Sequence, residues 1–357
     1  MKITAVRTWM EQLPLTKPYT IAYNTCSHTA IVFLEIMLEN GMTGIGSANP
    51  FEEVVGETPV LSFANLQSVQ VQDLLKGKDI RSFQQLIREA DKLFPHLPGT
   101  LAAIDIALHD VFCTWLGIPV LSFYGQQQEA LLTSVTIGIK PADEMLEEAK
   151  AYHAQGFRIL KIKTGLDVEA DIERVSLLHQ AFGNTMKIRV DVNQGYDSIA
   201  LKKFLENTRS LALELIEQPL PSGQEAALLA FPEADRKQLV ADESLLDAAS
   251  AIRLAQLPQP FGVFNIKLMK CGGILGARNI ATIAEPADIG LFWGCNDESI
   301  VSISAALHVA YSCPHTRYID LDGSFDLSKD LVSGGFMLKD GYLHALQQPG
   351  LGLKRLD

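Results

Sequence analysis

Residues 187–219 read KIRVDVNQGYDSIALKKFLENTRSLALELIEQP. Two short apolar runs, KIRVDVNQ at 187–194 and LELIEQP at 213–219, enclose a helix-like segment. Strand, helix, strand in about 30 residues is one parallel βα unit. The same unit repeats on both sides. Upstream lie LTSVTIG (132–138) and RILKIKTG (158–165); downstream lie QLVADES (238–244), VFNIKLMK (263–270), IGLFWGC (289–295) and RYIDLDG (317–323). A polar residue falls late in each run: Thr136, Lys161, Asp191, Glu217, Asp242, Lys267, Cys295 and Asp320. Their successive differences in residue number are 25, 30, 26, 25, 25, 28 and 25. Eight such units close an α/β barrel, whose functional residues sit at the C-terminal strand ends. A doubly wound sheet is disfavoured, because no GxGxxG follows a strand.

Upstream of residue 126 the pattern differs. KITAVRTW, AIVFLEIML (30–38) and GMTGIGSA (41–48) alternate as an antiparallel sheet turning at Asn40-Gly41. Between the first two runs, residues 14–29 read as a polar loop with two prolines, of a length typical of lids. Residues 58–125 read as helical, with stops at Ile118-Pro119 and Tyr124-Gly125. The most apolar stretch, 102–125, is interrupted by Asp105, His109 and Asp110, so it reads as a buried helix with a polar stripe.

The 357 residues are 47% hydrophobic and 20% charged, which supports a large core and excludes general disorder. Thirty Lys and Arg against 42 Asp and Glu leave a formal charge of −12. That balance argues against nucleic acid as a partner, since binding it needs clustered cations. No run of about 18 apolar residues is seen, so no membrane span is expected. Five scattered cysteines without CxxC spacing, and no apolar leader, fit a reduced cytoplasmic setting.

The chemistry concentrates at the strand ends. Asp191, Glu217 and Asp242 end three consecutive strands, and neighbouring strands lie about 4.8 Å apart. Three carboxylates so close repel unless a cation joins them, and all-oxygen ligation with open positions suits Mg²⁺. A single strand-end Asp would more simply cap the next helix; three in succession favour a metal. Lys161 and Lys163, two apart, point to one face of their strand, and Lys267 stands on the far side of the acidic trio. Lysine ammoniums directed into a barrel are costly, which favours a catalytic use over snorkelled surface side chains. Lys270 reads as surface. Asp320 and Asp322 repeat the spacing on the last strand, where a carboxylate pair suits a substrate ammonium; Asp322-Gly323 is also a common turn pair. Glu298 is a candidate for substrate contact or support, or for capping the following helix. Together these residues describe proton abstraction beside a metal-bound carboxylate, with Mg²⁺ stabilising the enolate and a second lysine returning the proton on the other face.

The segments KIKTG, DVNQ, IEQP, ADES and IKLMKCGGI, after the helix AAIDIALHD, resemble the enolase superfamily, muconate-lactonizing-enzyme subgroup, over nearly the whole chain. The resemblance implies a modified (β/α)7β TIM-like barrel at 126–323 and an N-terminal α+β capping domain at 1–125, joined by the tail 324–357. It implies one Mg²⁺ per subunit on Asp191, Glu217 and Asp242, with Lys163 and Lys267 as opposed acid/base lysines and Lys161 on the substrate carboxylate. Asn193 would support this set. The DLD segment is similar to that of dipeptide epimerases, in which Asp320 and Asp322 would hold the α-ammonium and Thr136 and Cys295 would contact substrate. Ala-Glu epimerases carry an arginine in the capping loop, where this chain has Tyr23. That difference points to neutral or apolar dipeptides such as Ala-Ala. The implied reaction is epimerisation of the C-terminal residue of an acyclic dipeptide, and the resemblance leaves room for a homo-oligomer. The rivals are an N-acylamino acid racemase, an o-succinylbenzoate synthase or a muconate cycloisomerase of the same subgroup. A metal-dependent binding or scaffold barrel is the non-enzyme alternative.

Overall fold

The computed structural model describes residues 1–21 and 24–356, with side chains described outside 17–26. Eight parallel strands follow one another around a ring: Val135–Ile137, Ile159–Lys163, Lys187–Asp191, Leu215–Glu217, Leu239–Ala241, Val263–Ile266, Gly290–Trp293 and Thr316–Ile319. Each pairs with its sequence neighbour, as short βα connections require. Thr133, just before the first strand, bridges in parallel to Ile319 and closes the ring. Helices or helical turns join all seven pairs, and none follows the last strand before the tail. This is a (β/α)7β barrel. The strands are three to five residues long and almost wholly buried, because helices cover the outside and side chains fill the centre. Leu215, Val240, Val263 and Phe292 form one apolar layer inside it.

The first 125 residues build a separate α+β layer. Strands Ile3–Ile21, Asn24–Leu38 and Thr43–Ala48 form an antiparallel sheet in that order. Helix Pro98–Leu116 lies against it so closely that a Cβ on Gly46 would strike the carbonyl oxygen of Ala103. This helix is long and apolar enough to cross a membrane, by length and composition, but 83% of its apolar window is buried inside the protein. Its polar stripe explains the interruption seen in the sequence. Asp110 accepts the Ile45 N–H at 2.9 Å and the Leu351 N–H at 2.8 Å, tying the sheet and the tail to the helix. The N-terminus of the helix is held by Glu57, a buried carboxylate accepting from Gly99 N–H, Thr100 N–H, Thr100 Oγ1 and Ser62 Oγ at 2.6–2.8 Å.

One expectation fails. Residues 14–29 do not form a loop in their described part; they are the arms of a long hairpin whose register slips between Pro14 and Tyr19. Prolines interrupt pairing locally without ending a strand when neighbouring residues still pair. Tyr23 lies outside the described residues.

In the tail, Val332–Gly334 pairs with Leu353–Arg355, and Tyr342–Ala345 pairs with Leu131–Leu132 at the base of the barrel. Tail residues also bind the first layer: the Arg355 guanidinium lies 2.9 Å from Glu35, and Ser328 N–H donates to Pro14 O at 2.9 Å. These contacts support the division into 1–125, 126–323 and a shared tail, which we propose as the domain organisation.

Candidate active site

The strand ends meet at the barrel mouth, beneath the capping sheet. Asp191 and Glu217 are the last residues of adjacent strands, and Asp242 follows the next one. All three are buried. Lys161 Nζ sits among them, 3.0 Å from Asp191 Oδ2, 2.9 Å from Glu217 Oε2 and 2.9 Å from Asp320 Oδ2. Lys163 Nζ lies 2.8 Å from Asp191 Oδ2 and 2.9 Å from Asn193 Oδ1. On the opposite side, Lys267 Nζ is 2.8 Å from Asp242 Oδ2. The two lysines thus flank the trio, from the second and sixth strands.

Electrostatics follow from this crowding. Burial and the neighbouring Asp191 push Glu217 up to about 8. Burial opposes ionisation of Asp191 as well, but Lys161 and Lys163 outweigh it and hold Asp191 at about 2. Lys267 and Lys270 likewise hold Asp242 well below the usual carboxylate range against its burial. Despite its own burial, Lys267 is held above its ordinary range by Asp242. The crowding that raises Glu217 is what a bound cation would relieve. Among the described residues no three of His, Cys, Asp and Glu stand arranged as a metal cage; ammonium groups supply the countercharge instead. Crowded oxygen-only donors fit a hard divalent cation.

The other expected residues gather at the same mouth. Asp322 is buried and accepts the Thr136 N–H at 2.9 Å. Burial and Asp320 raise its pKa well above the usual range. Asp320 turns the other way, into the barrel, where Ser134 Oγ donates to it at 2.5 Å beside the Lys161 contact. The DLD carboxylates are therefore neighbours with different partners, not a symmetric pair. Cys295 Sγ accepts from Gly323 N–H at 3.3 Å, and burial and Asp322 push its thiol up. Glu298 is buried, accepts the Asn296 N–H at 2.8 Å, and is pushed up to about 7 by burial. It does not cap the next helix: Ser299 is the cap of Ile300–Tyr311, and Asp330 accepts the Ile300 N–H at 2.7 Å.

Three side chains escaped the sequence reading. Lys270 is buried, not surface, and its Nζ reaches both the carbonyl and the carboxylate of Asp242. A helical turn after Lys267 folds it back under the site. Asn265 Nδ2 donates to Glu217 Oε1 at 2.6 Å; its signal was period-two spacing with Lys267. Gln218 Oε1 accepts from Asp242 N–H and Ser244 N–H at 2.9 and 3.1 Å, shaping the ADES loop. No local pattern announces that contact.

Residues 3–125 match the model of the mandelate racemase / muconate lactonizing enzyme N-terminal domain, and 144–355 match the enolase C-terminal domain-like model. The chain belongs to this family, within the enolase superfamily. It is 48% identical to the L-Lys-D/L-Arg epimerase of Desulforapulum autotrophicum over 356 residues, covering 100% of both chains. The dipeptide epimerase of Methylococcus capsulatus, solved with Mg and the dipeptide L-Arg-D-Lys, superposes with a TM-score of 0.96 at 47% identity, covering 99% of each chain. Identity to the hydrophobic dipeptide epimerase of Enterococcus faecalis is 32%, over 99% of each chain. As a member of this family the protein is an isomerase acting on amino-acid derivatives, and a fold made of barrel and capping domain is what its family shares.

Proposed function

We propose that this isomerase is a Mg²⁺-dependent dipeptide epimerase that inverts the α-carbon of the C-terminal residue, and that its substrates carry cationic side chains of the Lys and Arg class. The observation that carries the reaction is the pair of lysines facing one carboxylate trio from opposite strands. Asp191, Glu217 and Asp242 would hold the metal, which supplies positive charge beside the substrate carboxylate and so acidifies the α-carbon. Lys163 Nζ and Lys267 Nζ exchange roles: one takes the α-proton, and the other returns one on the opposite face. Lys161 pairs with the substrate carboxylate and is held by Asp320, while Asp322, beside Thr136 and Cys295, holds the α-ammonium. Asn193 holds Lys163, and Glu298 lines the same mouth.

Cationic side chains are supported by the identities, 48% to an L-Lys-D/L-Arg epimerase against 32% to a hydrophobic dipeptide epimerase. The Ala-Ala expectation rested on Tyr23 alone, and we set it aside. Incubating L-Lys-L-Arg and L-Ala-L-Ala in D₂O with Mg²⁺, and following α-proton exchange by NMR, tests both parts. We expect exchange with both and a higher kcat/KM for the cationic dipeptide. Faster turnover of L-Ala-L-Ala would sink the charge preference; no exchange across a dipeptide library would sink the reaction. A second reading, racemisation of an N-acylated amino acid, draws on Asp320, whose oxygens already serve Lys161 and Ser134. An Asp322→Asn variant that keeps full dipeptide activity would favour it.

A further inference from the structure

Asp105 lies midway along the capping helix Pro98–Leu116, wholly buried, yet its carboxylate serves the barrel. Its Oδ1 accepts the Ile274 N–H at 2.8 Å and its Oδ2 accepts the Leu275 N–H at 3.0 Å. These are the opening N–H groups of helix Ile274–Ala284, whose own N-cap is Gly273 and offers no side chain. The missing cap comes from the other domain.

The chain between this cap and Lys267 has no slack. Lys267 O accepts from Lys270 N–H at 2.9 Å and Cys271 N–H at 3.3 Å; Leu268 O accepts from Gly272 and Gly273 N–H at 3.1 and 3.0 Å. Gly273 sits at φ 98°, and a Cβ there would collide with the Asp105 carboxylate. Behind Asp105, His109 Nδ1 lies 2.8 Å from the Asp105 carbonyl oxygen and 3.1 Å from Oδ1, and His109 Nε2 lies 2.6 Å from Tyr124 Oη. The Arg278 guanidinium, carried by the capped helix itself, covers the Tyr124 ring at 3.9 Å. The relay thus starts and ends on the same helix.

We propose that Asp105 is a positioning residue for Lys267: the capping domain, through this carboxylate, sets the turn that places one of the two proton carriers and not the other. The proposal rests on the reading of Lys267 as a proton carrier. The loop after Lys163 is held from within the barrel, by Asp191 O on Thr164 N–H at 2.9 Å and by Asp171 on Gly165 N–H at 2.8 Å. Loss of the Asp105 contacts therefore displaces Lys267 alone.

Two exchange measurements separate the faces. Net epimerisation needs both lysines, whereas α-proton exchange in D₂O with retention needs only the lysine facing that epimer. Lys163→Ala and Lys267→Ala assign the faces. In the holoenzyme with Mg²⁺, Asp105→Asn is expected to slow retention exchange of the Lys267-facing epimer about 10- to 100-fold, the scale of a misplaced catalytic group. Exchange of the Lys163-facing epimer stays within about twofold of the parent enzyme. Equal loss on both faces, or loss on neither, overturns the proposal. If Lys267→Ala itself shows no face-selective loss, it is the two-lysine reading that fails. Should Asp105→Asn not fold, Tyr124→Phe removes only the hydroxyl at the end of the relay and carries the same test, with a smaller ratio of the same sign.

Discussion

Lys163 and Lys267 flank the same carboxylate trio, yet their surroundings differ in kind. Lys163 ends its strand at the open rim: 32% of its side chain is exposed, against 14% for Lys267. Its partners Asp191 and Asn193, and the groups holding the loop after it, Asp191 O on Thr164 and Asp171 on Gly165, all belong to the barrel. Lys267 lies deeper, with Lys270 beneath it on the same Asp242 carboxylate, and the turn after it is gripped by the capping domain through Asp105 and through Asn49, whose N–H reaches Met269 Sδ at 3.2 Å. The capping layer also reaches the loop after Cys295. Asn296 Nδ2 donates to Asn49 O at 3.0 Å, and Thr29 Oγ1 donates to Asp297 O at 3.3 Å. The capping layer is thus joined directly to the turn that carries Lys267. An enzyme that inverts a centre by near-symmetric chemistry does so in an asymmetric frame.

The comparison breaks most sharply at the lysines themselves. Lys163→Ala and Lys267→Ala are each expected to lower epimerisation by about 10³-fold or more, the scale of losing a general acid or base, while retaining exchange on opposite faces. A coupled polarimetric assay with NMR of the α-proton reads both. Full rate in either variant contradicts the two-carrier scheme. Stripping Mg²⁺ with a chelator should silence both faces equally, and Mg²⁺ added back should restore them; unequal residual exchange would mean that the faces depend differently on the metal. Next in size, Asp322→Asn should lower dipeptide kcat/KM about 10- to 100-fold through a weakened hold on the ammonium, the range expected when a charged hydrogen bond of about 1.5–3 kcal/mol is lost. An N-acylated amino acid, which lacks the ammonium, should be unaffected.

Smaller effects sharpen the role of the capping side. Glu57→Gln leaves buried donors of helix Pro98–Leu116 imperfectly paired and should cost about 1–3 kcal/mol in denaturant unfolding. An unchanged midpoint would show that the cap is dispensable. His308 packs between the domains, its Nδ1 accepting the Leu121 N–H at 3.2 Å, and burial lowers it from 6.5 to about 4. Below pH 6.5 the unfolded chain binds a proton that the folded chain refuses until about pH 4, so stability falls as pH falls through that window. His308→Gln removes this term. Its unfolding free energy should decline less steeply between pH 6.5 and 4, by up to about 3 kcal/mol in total. Parallel slopes would reject His308 as a contributor.

The barrel was legible because its signal is periodic. Strand ends recur every 25–30 residues, and each carries a polar residue where a buried strand would otherwise be apolar, so Asp191, Glu217, Asp242, Lys161 and Lys267 stood out. The 14–29 segment was misread because its prolines and polar residues resemble a loop, while pairing across the hairpin, a long-range contact, decided otherwise. Lys270 was misread for a similar reason. Whether a lysine four residues past a strand is exposed depends on which way a single turn of helix carries it.

Composition, periodicity and residue type therefore determined the architecture, the acidic trio and the presence of lysines on two sides of it, because these follow from local pattern and from the fixed geometry of a closed parallel sheet. Partnership was decided only in three dimensions. Asp320 turns inward to Lys161 while Asp322 faces Thr136; Glu298 yields the cap to Ser299; and Asp105, 169 residues before the Ile274 N–H it accepts, completes a helix of the other domain. A buried carboxylate must find donors wherever the fold brings them, and sequence distance says nothing about where that is.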